Sequence, residues 1–264
     1  MGLDRSFPEQ YLTWFRNFLS GQLGNSARFR GASISALILE RLPVTFSLAS
    51  LSFIFIIIIA VPVSLFSVKK KDSLLDRGVT TFTALGISIP GFFLGVLFIW
   101  IFGIVFRLFV PGAYVSREEN SPGFWTYLML PALAIALPNA SLVIKFLRSA
   151  IFREFNSDYV RTARSKGGSR GIILRGHVLK NACLPAITLL GMIAGEILSG
   201  SIVIEQVFNI PGIGRLLIAS ISARDYPMIE TLVIYFAFAV ILANTLVDIA
   251  IQIIDPRIRL TEKV

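Results

Sequence analysis

DYVRTARSKGGSRGIILRGHVLKNACLP, residues 158–185, is the one long polar and basic interval lying between two strongly apolar segments. It carries Arg161, Arg164, Lys166, Arg170, Arg175 and Lys180 against a single acid, Asp158. Helix formers fill its first part, Gly167 and Gly168 interrupt them, and a second helical run begins at Gly171. The pattern predicts a short helix, a glycine turn and another helix. Charge alone leaves two readings open: a solvated basic loop that fixes the orientation of a membrane protein, or a surface that presses on a soluble partner.

Outward from this interval the chain is overwhelmingly apolar. It is 55% hydrophobic and only 16% charged, with 22 Phe in 264 residues. So few charges cannot cover the surface of a soluble fold, and lipid must be the solvent. The net charge of +9 is broken up by long apolar runs instead of being gathered on one domain, which argues against nucleic-acid binding. Cys183 is the only cysteine, so an internal disulfide and a multi-cysteine metal site are excluded. It is expected to pack as a small apolar residue where the loop re-enters the membrane.

Hydropathy predicts five spans. The first, about 42–68, is uncharged and contains Pro62 near its end. The second, about 79–106, holds GISIPGFFLG, with Pro90 and Gly91 at mid-depth. These two residues either bend a helix or open its backbone beside a translocation path, since irregular backbone survives at depth only inside protein or water. The third runs from about 125 to 150, with Trp125 and Tyr127 as expected interfacial anchors and Pro131 and Pro138 inside it. Lys145 and Arg148 are expected to snorkel toward the basic loop. The fourth, about 183–207, contains Glu196, the acid that hydropathy places deepest, which makes it a candidate pathway residue. Gly191, Gly195, Ser199 and Gly200 give it a small-residue face for close packing. The interval 202–227 is amphipathic, broken by Gly and Pro and too polar to span; it reads as a re-entrant or surface-lying loop. The fifth span is about 228–254.

Loops at 69–79 and 151–181 and the tail after residue 254 are basic, whereas 107–124 and 208–227 are poor in cations. The basic side should face the cytoplasm. The expected organisation is an extracytoplasmic segment 1–41, a transmembrane domain 42–254 with the cytoplasmic loop 151–181, and a cytoplasmic tail 255–264. Residues 1–31 lack the basic start and apolar core of a signal peptide. Tyr11, Leu12, Trp14, Phe15, Phe18 and Leu19 are expected to form one face of a short amphipathic helix at the interface or to pack on the rest of the protein.

The loop residues carry a resemblance. In permease subunits of ABC importers, a glutamate–alanine–alanine triplet is followed, after three intervening residues, by glycine; the matching positions are Arg161, Thr162, Ala163 and Gly167. The branch that imports dipeptides, oligopeptides and nickel reads close to DYVRTARAKG and then RHxLRNAxxP, which residues 158–167 and 177–185 follow nearly throughout. ERLPVTFSLA at 40–49, LGISIPGFFLG at 85–95, VIEQVFNIPGIGRLL at 203–217, ARDYPMIE at 223–230 and DPRIR at 255–259 extend the likeness over nearly the whole chain. MGLDRSFPEQY and GQLGNS resemble wording that follows a first helix in that family, which implies a misassigned start or a shortened chain.

The resemblance implies an all-α, polytopic helical bundle of the type I importer permease fold in a bacterial or archaeal plasma membrane. It implies a second homologous permease, two cytoplasmic ATPase subunits and an extracytoplasmic substrate-binding protein as partners. Tyr159, Arg161, Ala163, Arg164, Gly167, Gly168 and Ser169 would couple to the ATPase through the loop 158–170. Substrates would be di- or oligopeptides, with nickel or a metal chelate as the alternative. The chain has no GxxxxGK[ST] phosphate loop, so ATP is expected on the partners and no cofactor here. An intramembrane protease would need HExxH or a Ser/His pair at depth, and the only histidine, His177, lies in the basic loop. A non-transporting scaffold or receptor would leave the broken spans and the coupling-loop wording unexplained.

Overall fold

The computed structural model describes residues 6–69 and 73–254, with side chains at all of these except 170, 198–200, 250, 251 and 254. The described residues form helices and connecting turns, apart from one isolated bridge between Asn25 and Ser33. Four helices are long and apolar enough to cross a membrane: α2 (Ile34–Lys69), α5 (Ser121–Phe155), α8 (Leu179–Val207) and α10 (Tyr226–Ile254). A fifth crossing comes from a bent pair, α3 (Leu74–Ser88) and α4 (Gly91–Phe98), the latter continued by wider π turns to Val105. In lipid the backbone must satisfy its own hydrogen bonds, so an uncharged run has helix as its only open-chain solution. At 1.5 Å per residue α2, with 36 residues, is about 54 Å long and overshoots a hydrocarbon core of about 30 Å.

The predicted second span is not one rod. Its two halves meet at 99° across residues 89 and 90. Ile89 is extended, as the residue before a proline prefers to be, and Pro90 starts α4 as its N-cap. Gly91 lies so close to α5 that a Cβ there would stand 3.1 Å from the carbonyl oxygen of Ala134. The bend is therefore a packed joint against α5.

Helix α5 is the axis of the bundle and the most buried span, while α10 is the least. Leu48 and Ile56 of α2, Leu128, Ile135 and Val143 of α5, and Ile193 and Ile197 of α8 interlock in the central core. α10 leans on α8 at Gly191, where any side chain would collide with Val247, as the small-residue face predicted; the surroundings of Ser199 and Gly200, named in the same expectation, lie outside what the structure describes. The opposite side of α10 exposes Phe238, Ile241, Leu242 and Leu246.

Three sequence expectations are corrected. Residues 202–227, expected as a re-entrant or surface-lying loop, are largely helical. α8 runs on to Val207, and after a short turn α9 (Ile213–Ser222) buries Ile213, Leu216 and Ser220. There Ile213 and Leu216 join Ile34, Ile38, Met228 and Leu232 in a second core. Tyr127 is not an interfacial anchor but is buried, its hydroxyl donating to the Phe208 carbonyl at 2.5 Å and accepting from the Gly112 amide at 3.0 Å. Phe109 packs on its ring at 4.9 Å. Trp125 is partly exposed, with the Arg117 guanidinium 5.9 Å above its ring.

Arg148, third, does not reach for the basic loop. It turns into the bundle and grips Asp76 near the start of α3, Nη2 lying 2.8 Å and 2.9 Å from the two carboxylate oxygens. Nη1 donates to Thr80 Oγ1 at 2.8 Å, and Ser67 Oγ of α2 donates to the same aspartate. Asp76 is only 4% exposed, so α2, α3 and α5 are tied together at a nearly dry charge. The C-terminal tail 255–264 and Lys70 and Lys71 of the first basic loop lie outside the described residues.

Before α2, residues Phe7–Leu19 form α1, with Pro8 in the first turn. It buries no residue. Tyr11 and Phe15 stack at 6.1 Å and Trp14 and Phe18 at 5.8 Å, which gives the predicted amphipathic helix its aromatic face.

Breaking a buried ion pair from one side leaves the other charge stranded. Asp76→Ala should cost about 3 kcal/mol, read as a lower unfolding temperature in detergent, whereas Asp76→Ala combined with Arg148→Met should recover most of that loss.

Candidate functional site

The basic interval folds as its composition predicts. α6 spans Asp158–Ser165, with Asp158 in its first turn, where the helix dipole favours an acid. One side of α6 faces the bundle: Val160 is fully buried with Leu147, Ile151, Ile173 and Leu174, and Tyr159 and Ala163 pack beside them. Tyr159 is pinned further by a hydrogen bond from its hydroxyl to Glu154 Oε2 at 2.7 Å. Burial, and then this bond to Glu154, push its phenol up from the ordinary tyrosine range. The other side presents Arg161, Thr162, Arg164, Ser165 and Lys166 to solvent.

A Schellman motif stops α6. The Gly168 amide donates to the Ala163 carbonyl at 3.1 Å and the Gly167 amide to the Arg164 carbonyl at 2.9 Å. This geometry needs φ = +82° at Gly167, the left-handed region that side chains disfavour. A Cβ at Gly168 would stand 2.9 Å from the Ala163 oxygen. The chain then enters α7 (Arg170–Ile173) and continues through π turns at Leu174–Val178 into α8. Arg161 approaches Asp158 at 3.5 Å, but both are at least three-quarters exposed, so the pair holds little energy and leaves the cationic face intact. His177 is exposed in the π turns.

Tyr159, Arg161, Ala163, Arg164, Gly167, Gly168 and Ser169 thus share one compact helix-and-turn unit. Pro90, Gly91 and Glu196 sit on separate elements. Pro90 is exposed at the joint, Gly91 rests on α5, and Glu196 is exposed on α8 between buried Gly195 and Ile197. Gly195 lies against Asn244 of α10, where a Cβ would meet Oδ1 at 3.2 Å.

On α8 the acid that is buried is Glu205, to which sequence reasoning gave no role. It is 0% exposed. Oε1 accepts from Thr45 Oγ1 of α2 at 2.7 Å, Oε2 accepts from the Arg215 amide at 3.0 Å, and the Gly214 amide also donates to the carboxylate. Thr45 Oγ1 in turn accepts from the Ile213 amide at 2.8 Å. One carboxylate and one hydroxyl therefore satisfy the amides at the start of α9, which no side chain of its own caps. A side chain at Gly212 would overlap the carboxylate, and one at Gly214 would stand 2.6 Å from Ile202 Cα. The readable signal was the pair Gly212 and Gly214 opening an amphipathic run just after an acid.

On the same end of the bundle, Asp225 holds the segment before α2. Ser26 Oγ donates to Asp225, the Arg28 amide donates to it at 3.3 Å, and Arg28 Nη1 reaches the Ala219 carbonyl at 2.5 Å. Burial alone would raise the Asp225 carboxyl. The donors, Ser26 first and then the amides of Arg28, Ala27 and Met228, outweigh it and hold the group below the ordinary carboxylate range.

Residues 60–260 match the family of binding-protein-dependent transport system inner membrane components. A putative peptide permease of Brucella suis is 36% identical over 263 residues, covering 99% of this chain and 82% of the relative. The chain belongs to this family of importer permeases. The oligopeptide transport system permease AppB of Bacillus subtilis is also 36% identical, over 97% of this chain and 82% of its own length. Among solved structures, an inward-facing MetNI methionine ABC transporter superposes with a TM-score of 0.66 at 15% identity, covering 84% of this chain and 97% of that one. That likeness concerns the fold, which is the all-α importer permease bundle expected from the sequence. The chain is an ABC importer permease, a multi-pass membrane protein of a family that works with ATPase and binding-protein partners.

Two outcomes follow for this permease. Glu205→Ala strands the amides of α9 and should cost about 3 kcal/mol by thermal unfolding, whereas Glu205→Gln keeps an acceptor and should cost about 1 kcal/mol. Because the Asp225 carboxyl is depressed in the folded chain, its contribution is complete above the unfolded value of about 3.9 and is lost as pH falls through the folded one. Unfolding temperature should therefore drop with acid below about pH 4 in the wild type, and Asp225→Asn should flatten that part of the profile.

Proposed function

We propose that this permease forms half of the translocation pathway of a peptide importer and that residues 158–170 couple it to a cytoplasmic ATPase. The observation that carries the reading is the geometry of α6: a helix with one face fixed in the core through Val160, capped by Gly167 and Gly168, and exposing Arg161, Arg164 and Lys166. A rigid cationic knob at the end of the central helix suits docking on an acidic groove. Closure of an ATPase dimer on such a knob would move α5 and α8 as one body, because Val160, Ile173, Leu174 and Val178 pack directly on Leu147 and Ile151. A second homologous permease would supply the other half, and an extracytoplasmic binding protein would deliver substrate.

Cytoplasmic orientation of the loop and the C-terminus is supported by the concentration of Lys and Arg on that side. The peptide assignment is supported by the relatives named for peptide transport. Pro90, Gly91 and Glu196 are the proposed pathway positions: the first two at the only sharp break among the described spans, the third a carboxylate exposed on α8 in the segment whose hydropathy marks it as a span, where lipid would be a costly neighbour.

The test is co-expression with the neighbouring permease and ATPase subunits, followed by ATPase assays in proteoliposomes with binding protein and peptides. Gly167→Val distorts the Schellman turn and should leave assembly intact while lowering peptide-stimulated ATP hydrolysis at least about tenfold. Normal stimulation in an intact assembly would remove the coupling role, and stimulation by a non-peptide solute alone would remove the peptide assignment.

A further inference from the structure

A cavity of about 440 Å³ opens between α3 and α5, next to the Asp76–Arg148 pair. Thr80, Thr83 and Ala84 line it from α3, and Ile144, Lys145 and Ser149 from α5 together with Arg148 and Phe152. Arg148 is committed to Asp76 and Thr80 through its two terminal nitrogens, but its Nε is buried without a hydrogen-bond partner. Lys145 is exposed, and no ion pair engages it among the described residues. Two cations stand against one carboxylate, so the cavity carries a net positive charge.

Its depth gives this charge meaning. Lys145 lies ten residues before the end of α5, about 15 Å along the helix from the basic loop. An exposed, unpaired ammonium flanked by apolar helix surface favours an anion close by. Ala84, Ile144 and Phe152 add apolar surface to a lining otherwise made of hydroxyls and cations. The flanking surface of the same two helices is apolar as well: Phe82, Leu85 and Phe146 are each more than half exposed. A small soluble anion would satisfy Lys145 but leave those side chains unfilled. An amphiphile with an anionic head and hydrocarbon tails satisfies both.

We propose that the cavity between α3 and α5 is a binding site for an anionic phospholipid, its phosphate between Lys145 and Ser149 and its acyl chains along Ala84, Ile144 and the exposed phenylalanines. Basic pockets between membrane helices on the cytoplasmic side recognise such headgroups by the same charge complementarity. The leaflet that supplies the lipid follows from the orientation proposed above; the site itself does not depend on it. A bound lipid would brace the ion pair that ties α2, α3 and α5.

The assembled transporter, extracted and exchanged into nanodiscs of phosphatidylcholine with or without phosphatidylglycerol, can be released in the gas phase and its retained lipids counted. Neither substrate nor ATP enters the measurement, so failure of the transport reading leaves the result untouched. Phosphatidylglycerol should be retained in preference to phosphatidylcholine, and Lys145→Gln should lower that preference about fivefold, the worth of one cation at a membrane surface. Lys145 is exposed, so this variant should fold. Ala84→Phe, which fills the apolar part of the lining without altering charge, should displace the lipid too. Equal retention of the two lipids, or an unchanged preference in both variants, overturns the proposal. Protection of the cavity by inorganic phosphate alone would make it a simple anion site, and cross-linking of Ser149→Cys to the second permease would make it a subunit contact; either result overturns it as well.

Discussion

A carboxylate deprived of water has to be supplied with donors, and Glu205 receives them from two other helices at once. Thr45 comes from α2, the amides of Gly214 and Arg215 from the start of α9, and the glutamate itself from α8. None of the three helices can shift without stranding a charge or an amide, and either penalty is large away from solvent. At the other end of the bundle, Asp76 plays the same part for α2, α3 and α5, with Arg148 as its counter-charge. Apolar packing among Leu48, Leu128, Ile193 and their neighbours supplies cohesion between these two knots. It does not choose a register, because lipid solvates leucine as well as protein does. Specific arrangement comes from the two acids.

This division of labour explains why the loop unit is rigid where the surface of α10 is not committed. α6 stands on α5 and on the first turns leading to α8, and α5 is the helix that contributes most to the central core, to which α8 adds Ile193, Ile197 and Ile204. Displacement of α6 is therefore displacement of the core. α10 touches the bundle along α8 and α9 and shows an apolar face elsewhere, the property of a helix at a boundary with lipid or with another subunit.

Much of this was legible in the sequence. Uncharged runs of sufficient length could only be helices in lipid, and the first, third and fifth spans begin and end within a few residues to a turn or two of their hydropathic limits. Helix, glycine turn and helix in 158–178 followed from local propensity, because a Schellman motif is closed by bonds inside six residues. What escaped depended on partners distant in the chain. The joint at Pro90 and Gly91 packs against Ala134 of α5, and Arg148 finds its acid 72 residues away. Glu205 was passed over for Glu196 because hydropathy measures how apolar a segment is and knows nothing of which side faces a neighbour. The polarity that made 202–227 look like a loop is the very set of groups that caps and packs α9.

The turn at Gly167 has a further thermodynamic meaning. Its bonds close within the chain, and Val160 anchors the preceding helix in the core, so the unit is already folded before any partner arrives. A recognition element of this kind surrenders little conformational entropy on association; the ordering cost that burdens a floppy loop was met when the permease folded. Repeated docking and release during a transport cycle then needs only a modest interface, and changes in contact strength would be felt mainly in how long the partner stays.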